Sequence, residues 1–492
     1  MKNKIKTHLV LSVLYTFITG MLAFYINRVF YEYLGAESLG LLKLFTNILA
    51  YLNLAEMGLG TISAALLYKP LHENNYQIIS NIIYTISSLY KKIALFVLII
   101  GIGFNFLLPQ IIDNTNYTVM IYWTIYVIAI SITYYYARYP ILLTADQKYG
   151  YVQTLKNCIK IGMQVSQVFA IVYYNSFLIF IILILISNVF EWVFYLIYMK
   201  GKYNYLKTTI PRKDKRVIKK TRQMIVHQMA GVLVFNTDYI ILAKYVSLST
   251  VAVYSSYIMI TQFMMLFINN IIQVIRPKFG NFYAKSERGV IVESVYYLFA
   301  VNMFLATFIV SVLYFALPLI IKFWMGDDFI ISKTTLILLL VNVYIEISRK
   351  TIDMVKVVSG YFKDIHLPII EGFLNLVMSL VLVKFYGLNG VILGTIISNV
   401  IIVVIAKPYF IFRDVLKSSF YDYMIKCLFY VLLTSVVVIS LSFLFEFIAQ
   451  YNDLIQLLLY IILSAVLSII LFCFDKTFIS ICLQMKKRLY LI

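Results

Sequence analysis

Predominantly apolar runs, most of them about twenty residues long, recur along the whole chain, and a run of that length is what an α-helix needs to cross a hydrocarbon core roughly 30 Å thick. They fall at 9–30, 39–67, a stretch centred on 95–108, 119–136, 152–173, 177–199, 224–242, 251–274, 295–321, 334–347, a short one at 369–383, 390–406, 424–445 and 454–474. The alternating ten-residue strands of a membrane barrel are absent. With 62% hydrophobic and only 13% charged residues, the chain has too little polar surface to cover a water-soluble globule of its length. These runs specify an all-α polytopic membrane protein with about 14 transmembrane helices. The first run follows Lys2, Lys4 and Lys6 as a signal sequence would, but it is too long and lacks a small-residue cleavage site, so it reads as a retained helix. The polar segment Tyr76–Lys92, ahead of the third run, has the composition of a stretch lying on the membrane surface.

Charge tests the assignment independently. Alternating spans place 36 of the 42 lysines and arginines on the side of the N-terminus, leaving only Arg28, Lys43, Lys244, Lys322, Lys333 and Lys384 elsewhere. This is the bias of cytoplasmic loops, so the chain reads as a multi-pass protein of the cell membrane with both termini cytoplasmic. The net charge of +20 is thereby a topology signal, and no nucleic-acid partner is implied. Residues 200–222 carry ten basic side chains against one acid, Asp214. This is the longest polar connection; its first reading is as a topology determinant, with contact to anionic headgroups of membrane lipids as a second role. Cys158, Cys427, Cys473 and Cys482 fall in or near the cytoplasmic half, where disulfides are not expected.

Six runs precede the basic connection. Six is even, so a duplicated second half would enter the membrane in the same orientation, giving two lobes with a central site between them. A shift of 212 residues lays Tyr33–Leu41 over Tyr245–Val253, each at the turn of a helical hairpin. The expected organisation is an N-lobe at 1–199, a basic linker at 200–222, a C-lobe at 223–412, and two further helices with a tail at 413–492. The two six-helix lobes would surround a central cavity.

The hairpin Phe24–Pro70 sets Arg28, Lys43 and Glu56 inside segments that otherwise avoid charge. A charge near the centre of a membrane helix costs roughly 2.5–3.5 kcal/mol on insertion scales, so each needs a polar cavity, a partner or an interface. Arg28 and Lys43 have two readings, a cavity-facing cation or a side chain snorkelling to the outer interface. Glu56 lies deeper, as a protonatable or cation-binding group or as a structural hydrogen-bonding residue beside Gly58 and Gly60. Asp238 holds the matching place in the second hairpin and needs a partner from another helix. Glu346 can pair along its own helix with Arg349 and Lys350. Glu191 and Glu371 have no assigned partners, and Gly390 and Gly394 have the spacing of close helix packing.

Several segments resemble one family. The turn from Tyr33-Leu34-Gly35 to Gly40, LNLAEMGLG ending at Gly60, NTDYIILAKYVSLSTVAVYS from Asn236 and SGYFKDIHLPIIEGFLNLVMSLVLVKFYGLNGVILGTIIS from Ser359 are similar to Wzx-type polysaccharide flippases. These belong to the multidrug/oligosaccharidyl-lipid/polysaccharide exporter (MOP) superfamily. The resemblance implies a transporter that turns undecaprenyl-diphosphate-linked oligosaccharide units to the outer leaflet by alternating access, for surface polysaccharide such as capsule or O-antigen. It implies Arg28, with Lys43, as the substrate-binding cations and Glu56 and Asp238 as cavity or coupling acids. No cofactor is implied beyond a coupling proton or sodium ion, and polysaccharide polymerase machinery is a candidate partner. The alternative is an ion-coupled multidrug exporter of the same superfamily. A membrane glycosyltransferase or polymerase fits less well. His8, His72, His227 and His366 are scattered, no phosphate-binding glycine loop occurs, and Asp327-Asp328 stands without a large outer catalytic loop. The chain is not expected to be an enzyme.

Overall fold

The computed structural model describes residues 2–52, 59–112, 116–218, 237–361, 363–364, 366–448, 450–475 and 477–480. Glu56 and Gly58, the first part of the seventh apolar run up to residue 236, and Cys482 lie outside the described residues. The described chain is helical, with no strand. Nine helical stretches among the described residues are long and apolar enough to cross a membrane. This is an all-α multi-pass membrane protein.

The chain divides into two compact units, Met1–Ala252 and Val253–Ile492. The first holds α1 (Lys2–Leu52), α2 (Leu59–His72), α3 (Tyr76–Gly103), α4 (Tyr117–Tyr136), α5 (Arg138–Ala145), α6 (Tyr149–Tyr174), α7 (Phe177–Lys202) and α8 (Thr237–Tyr245). α9 (Leu248–Lys285) begins there and continues into the second unit.

α1 is helical throughout except at Gly35, where φ is 80° and ψ 169°. That conformation is open only to glycine, and a Cβ at Gly35 would meet nothing within 4 Å, so backbone geometry alone demands the residue. The break reverses the chain: Lys43 Nζ lies 3.0 Å from Asn27 Oδ1, whereas sixteen residues of unbroken helix would separate them by about 24 Å. The expected hairpin turn therefore sits at Gly35. Its counterpart 212 residues on is Ser247, which falls in the gap between α8 and α9, so both breaks share one register.

Short polar residues set the other boundaries. α6 ends on Asn175 in the left-handed region, and the Ser176 side chain then caps α7 by accepting from Ile179 N–H. Asn75 caps α3 in the same way. From that cap α3 runs unbroken to Gly103, so Tyr76–Lys92 is the beginning of a spanning helix and not a separate surface segment. No glycine or proline falls within Tyr76–Lys92, and residues 205–217 run along its polar face. Around α4, Phe45 packs edge-on to Trp123 at 5.1 Å, and Trp123 Nε1 donates to Gly101 O at 2.6 Å. Phe30 on α1 meets Phe177 and Phe180 on α7 at 5.2 and 5.1 Å.

The second unit contains α10 (Arg288–Met325), α11 (Lys333–Ser359), α12 (His366–Tyr386), α13 (Leu388–Asn399), α14 (Phe420–Phe443) and α15 (Asp453–Phe472). α14 and α15 are built into its core: Tyr430 on α14 stacks on Phe472 at 5.4 Å and meets Phe299 on α10 edge-on at 5.6 Å. Gly390 and Gly394 press α13 against α12, where a Cβ would collide with the Leu382 carbonyl and with Ser379. Their spacing does mark close helix packing. α13 continues as wider π-turns over Val400–Ala406 and Ile411–Leu416, on either side of Lys407.

Candidate functional site

The reversal at Gly35 assembles a polar seam between the two arms of α1. Asn27, buried on the first arm, accepts from Lys43 on the second. Asn47 Nδ2 donates to Lys43 O at 2.8 Å, and Thr46 shares a 3.2 Å hydrogen bond with the Tyr126 hydroxyl of α4. Arg28, next to Asn27, donates from Nε to Glu32 Oε1 at 2.6 Å, one turn along the same arm. The two predicted cations thus share one seam but differ in electrostatic state. Arg28 is balanced by a carboxylate, and both side chains of that pair are a third or more exposed (33% and 41%). Lys43 is half-buried, and among the described residues no carboxylate lies within 4 Å of its ammonium; its hydrogen-bond partner there is a neutral amide.

Asp238 stands in the first turn of α8, half-buried. It lies within electrostatic reach of Tyr51, at the end of the second α1 arm, and of Tyr239. Tyr51 is eight residues from Lys43, about 12 Å along the helix, so one arm carries the uncompensated cation at one level and approaches the acid at another. Glu56 lies beyond the described end of that arm.

The second unit has its own cluster of charge. Arg349 on α11 pairs with Asp353 at 3.0 Å and reaches Glu371 on α12 at 3.8 Å. Lys407, between the π-turns, approaches Asp353 at 3.7 Å. Glu371 and Lys407 are buried, with side chains only 5% and 6% exposed. Lys350 pairs with Glu346 at 3.6 Å as its spacing indicated, whereas Arg349 turns to Asp353 and Glu371. Every charge in this group has an opposite partner, which is the arrangement of a structural network. Beside it on α12 and α13, Asn375 donates to Thr395 Oγ1 at 2.9 Å and Ser379 to Val391 O at 3.3 Å. Among the described residues no group of three or more His, Cys, Asp or Glu is placed to hold a metal ion.

Sequence reasoning missed Glu32 and Asn27. Glu32 was visible as the i+4 neighbour of Arg28; Asn27 becomes visible once the reversal is put at Gly35, because Asn27 and Lys43 are equidistant from it. The Arg349–Glu371 and Lys407–Asp353 pairs are tertiary, and no local spacing announces them.

The fold is similar to that of solved membrane transporters, among them a lipid II flippase and transporters of the MATE family. The lipid II flippase MurJ in its inward closed conformation matches with a TM-score of 0.68 at 15% identity, covering 94% of this chain and 98% of that one. An inward-facing multidrug resistance MATE family transporter of the MOP superfamily matches with a TM-score of 0.65 at 14% identity, over 82% and 99%. The MATE multidrug transporter DinF-BH matches at 0.52 and 17% identity, over 83% and 95%. No family model matches the sequence, and no curated protein does.

Proposed function

We propose that this protein is a flippase that carries an undecaprenyl-diphosphate-linked oligosaccharide from the cytoplasmic to the outer leaflet for surface polysaccharide synthesis, as Wzx-type proteins do. The observation that carries this reading is Lys43: its ammonium is held by a neutral amide, and among the described residues no carboxylate lies within 4 Å to compete with a phosphate for it. Arg28 supplies the second contact. Its guanidinium offers five donors in a planar fork suited to phosphate oxygens, and Glu32 orients it from one turn away. A lipid-linked diphosphate brings two phosphates, matching two cations on neighbouring arms.

The length of the likeness favours a flippase over a drug exporter. The flippase match takes in 94% of the chain and the inward-facing MATE match 82%, a difference of about 60 residues, roughly two spanning helices with their connection. α14 and α15 are a pair of that length, and they are packed into the core of the second unit. The charge bias supports cytoplasmic termini. Glu56 and Asp238 would take up a proton or sodium ion as the lobes alternate, and the polymerase machinery would receive the flipped unit. The test is depletion of the chain in its own host. Lipid-linked oligosaccharide accumulating in the inner leaflet supports flipping; unchanged oligosaccharide with increased sensitivity to cationic drugs would transfer the assignment to multidrug export.

A further inference from the structure

The start of the basic connection is tied down. After α7, the rings of Tyr205 and Tyr76 approach to 4.4 Å, and four hydrogen bonds fix the segment along the first turns of α3. Gln77 Nε2 donates to Ile210 O (2.8 Å), Thr209 Oγ1 to Ser80 Oγ (2.5 Å), Arg212 N to Asn81 Oδ1 (2.7 Å) and Asp214 N to Thr85 Oγ1 (2.8 Å). Val217, fully buried, anchors the far end. The α3 groups in this ladder are uncharged, and three of the four bonds engage the backbone of the strap. The ladder leaves the cationic side chains of Arg212, Lys213 and Lys215 exposed. The acid of the strap, Asp214, is spent on Arg216 at 2.6 Å, and that guanidinium holds its carboxyl below the usual range.

The level of the strap follows from length. α3 and its 3-10 continuation run 31 residues, Tyr76–Phe106, about 46 Å against a hydrocarbon core of roughly 30 Å. The most apolar part is the far end, so the excess of about ten residues falls on Tyr76–Thr85, the part that the strap covers. The headgroup layer begins where the core ends, beside Thr85 and Asp214.

We propose that this strap, residues 205–217, forms a docking surface for anionic phospholipid headgroups of the leaflet it borders. The surface is preformed: the ladder to α3 fixes the backbone that carries the exposed Arg212, Lys213 and Lys215. A topology signal needs only the number of charges. A docking surface needs the ladder too, and that separates the two.

The full-length protein would be purified from mixed phosphatidylcholine and phosphatidylglycerol, and the retained lipids counted by native mass spectrometry. The wild type is expected to enrich phosphatidylglycerol. Lys213→Gln with Lys215→Gln should lower that enrichment about fivefold per residue. Asn81→Ala with Thr85→Val keeps every charge and frees the strap; it should also lower enrichment. Equal enrichment in the lysine double variant would overturn the proposal, and so would full enrichment in the Asn81/Thr85 variant, because charge number alone would then account for the binding. Loss of selectivity in excess inorganic phosphate at constant ionic strength would overturn the lipid assignment in favour of a soluble anion.

Discussion

If Lys43 contacts the substrate phosphate, two different substitutions should silence it. Lys43→Met keeps most of the stem and removes the charge. Asn27→Asp keeps the ammonium but puts a carboxylate where the amide oxygen now stands, 3.0 Å away, so that the charge is neutralised inside the protein. A hydrogen bond to a charged group contributes about 1.5–3 kcal/mol net, which corresponds to a rate loss of about 10- to 150-fold if the contact is made in the transition state of flipping. Both variants should therefore fall by at least about tenfold. Folding should suffer by only about 1 kcal/mol, the worth of one exchanged hydrogen bond. The assay is rescue of cells depleted of the wild-type chain, with inner-leaflet lipid-linked oligosaccharide measured at matched protein level. Wild-type flipping by Asn27→Asp together with Lys43→Met would refute the reasoning and return Lys43 to a structural tie between the arms.

Arg28→Ala should abolish flipping and Arg28→Lys retain part of it, since lysine offers a point charge in place of a fork; full rescue by alanine removes the phosphate role. Glu32→Gln should leave protein level unchanged, because a half-exposed ion pair contributes at most about 1 kcal/mol, yet it should alter the apparent affinity for substrate. Asp238→Asn and Glu56→Gln should each reduce transport without reducing expression, and normal transport by the double variant ends the coupling idea. Gly35→Ala should destabilise the purified protein by about 1–3 kcal/mol through backbone strain, read as a lowered unfolding temperature. Gly20→Ala, on a helical stretch with nothing within 4 Å of its Cβ, is the control and should be neutral or slightly stabilising.

The helical layout was largely legible because a membrane span must be apolar for most of its length, and such runs survive inspection. The short break between the runs at 152–173 and 177–199 and the Gly390/Gly394 contact were also legible, since three residues between two spans leave room only for a tight turn and small residues four apart favour close helix packing. The full extent of α3 and α11 was not. Their polar ends read as surface segments or loops, because hydropathy cannot distinguish water from another part of the chain, and residues 205–217 cover the end of α3. Within the hairpin, the residue types at Arg28 and Lys43 were visible, but their states were not. Arg28 looked the better cation by type, and only the reversal at Gly35 and the Glu32 pair show that Lys43 is the one without a compensating carboxylate among the described residues.

The charge network on α11 bears on how the protein is made. Between Glu346 and Lys356 this helix carries five charges, and two of its neutralising groups, Glu371 and Lys407, come later in the chain. When α11 leaves the ribosome, those partners do not yet exist. At about 5–20 residues per second, the 48 residues between Ser359 and Lys407 take roughly 2–10 s to synthesise. During that interval the charged end of α11 must stay in water or inside the insertion machinery, and it can settle into the bilayer only as one packet with α12 and α13. A truncation after α11 should therefore fail to anchor that helix, whereas one after Leu416 should succeed.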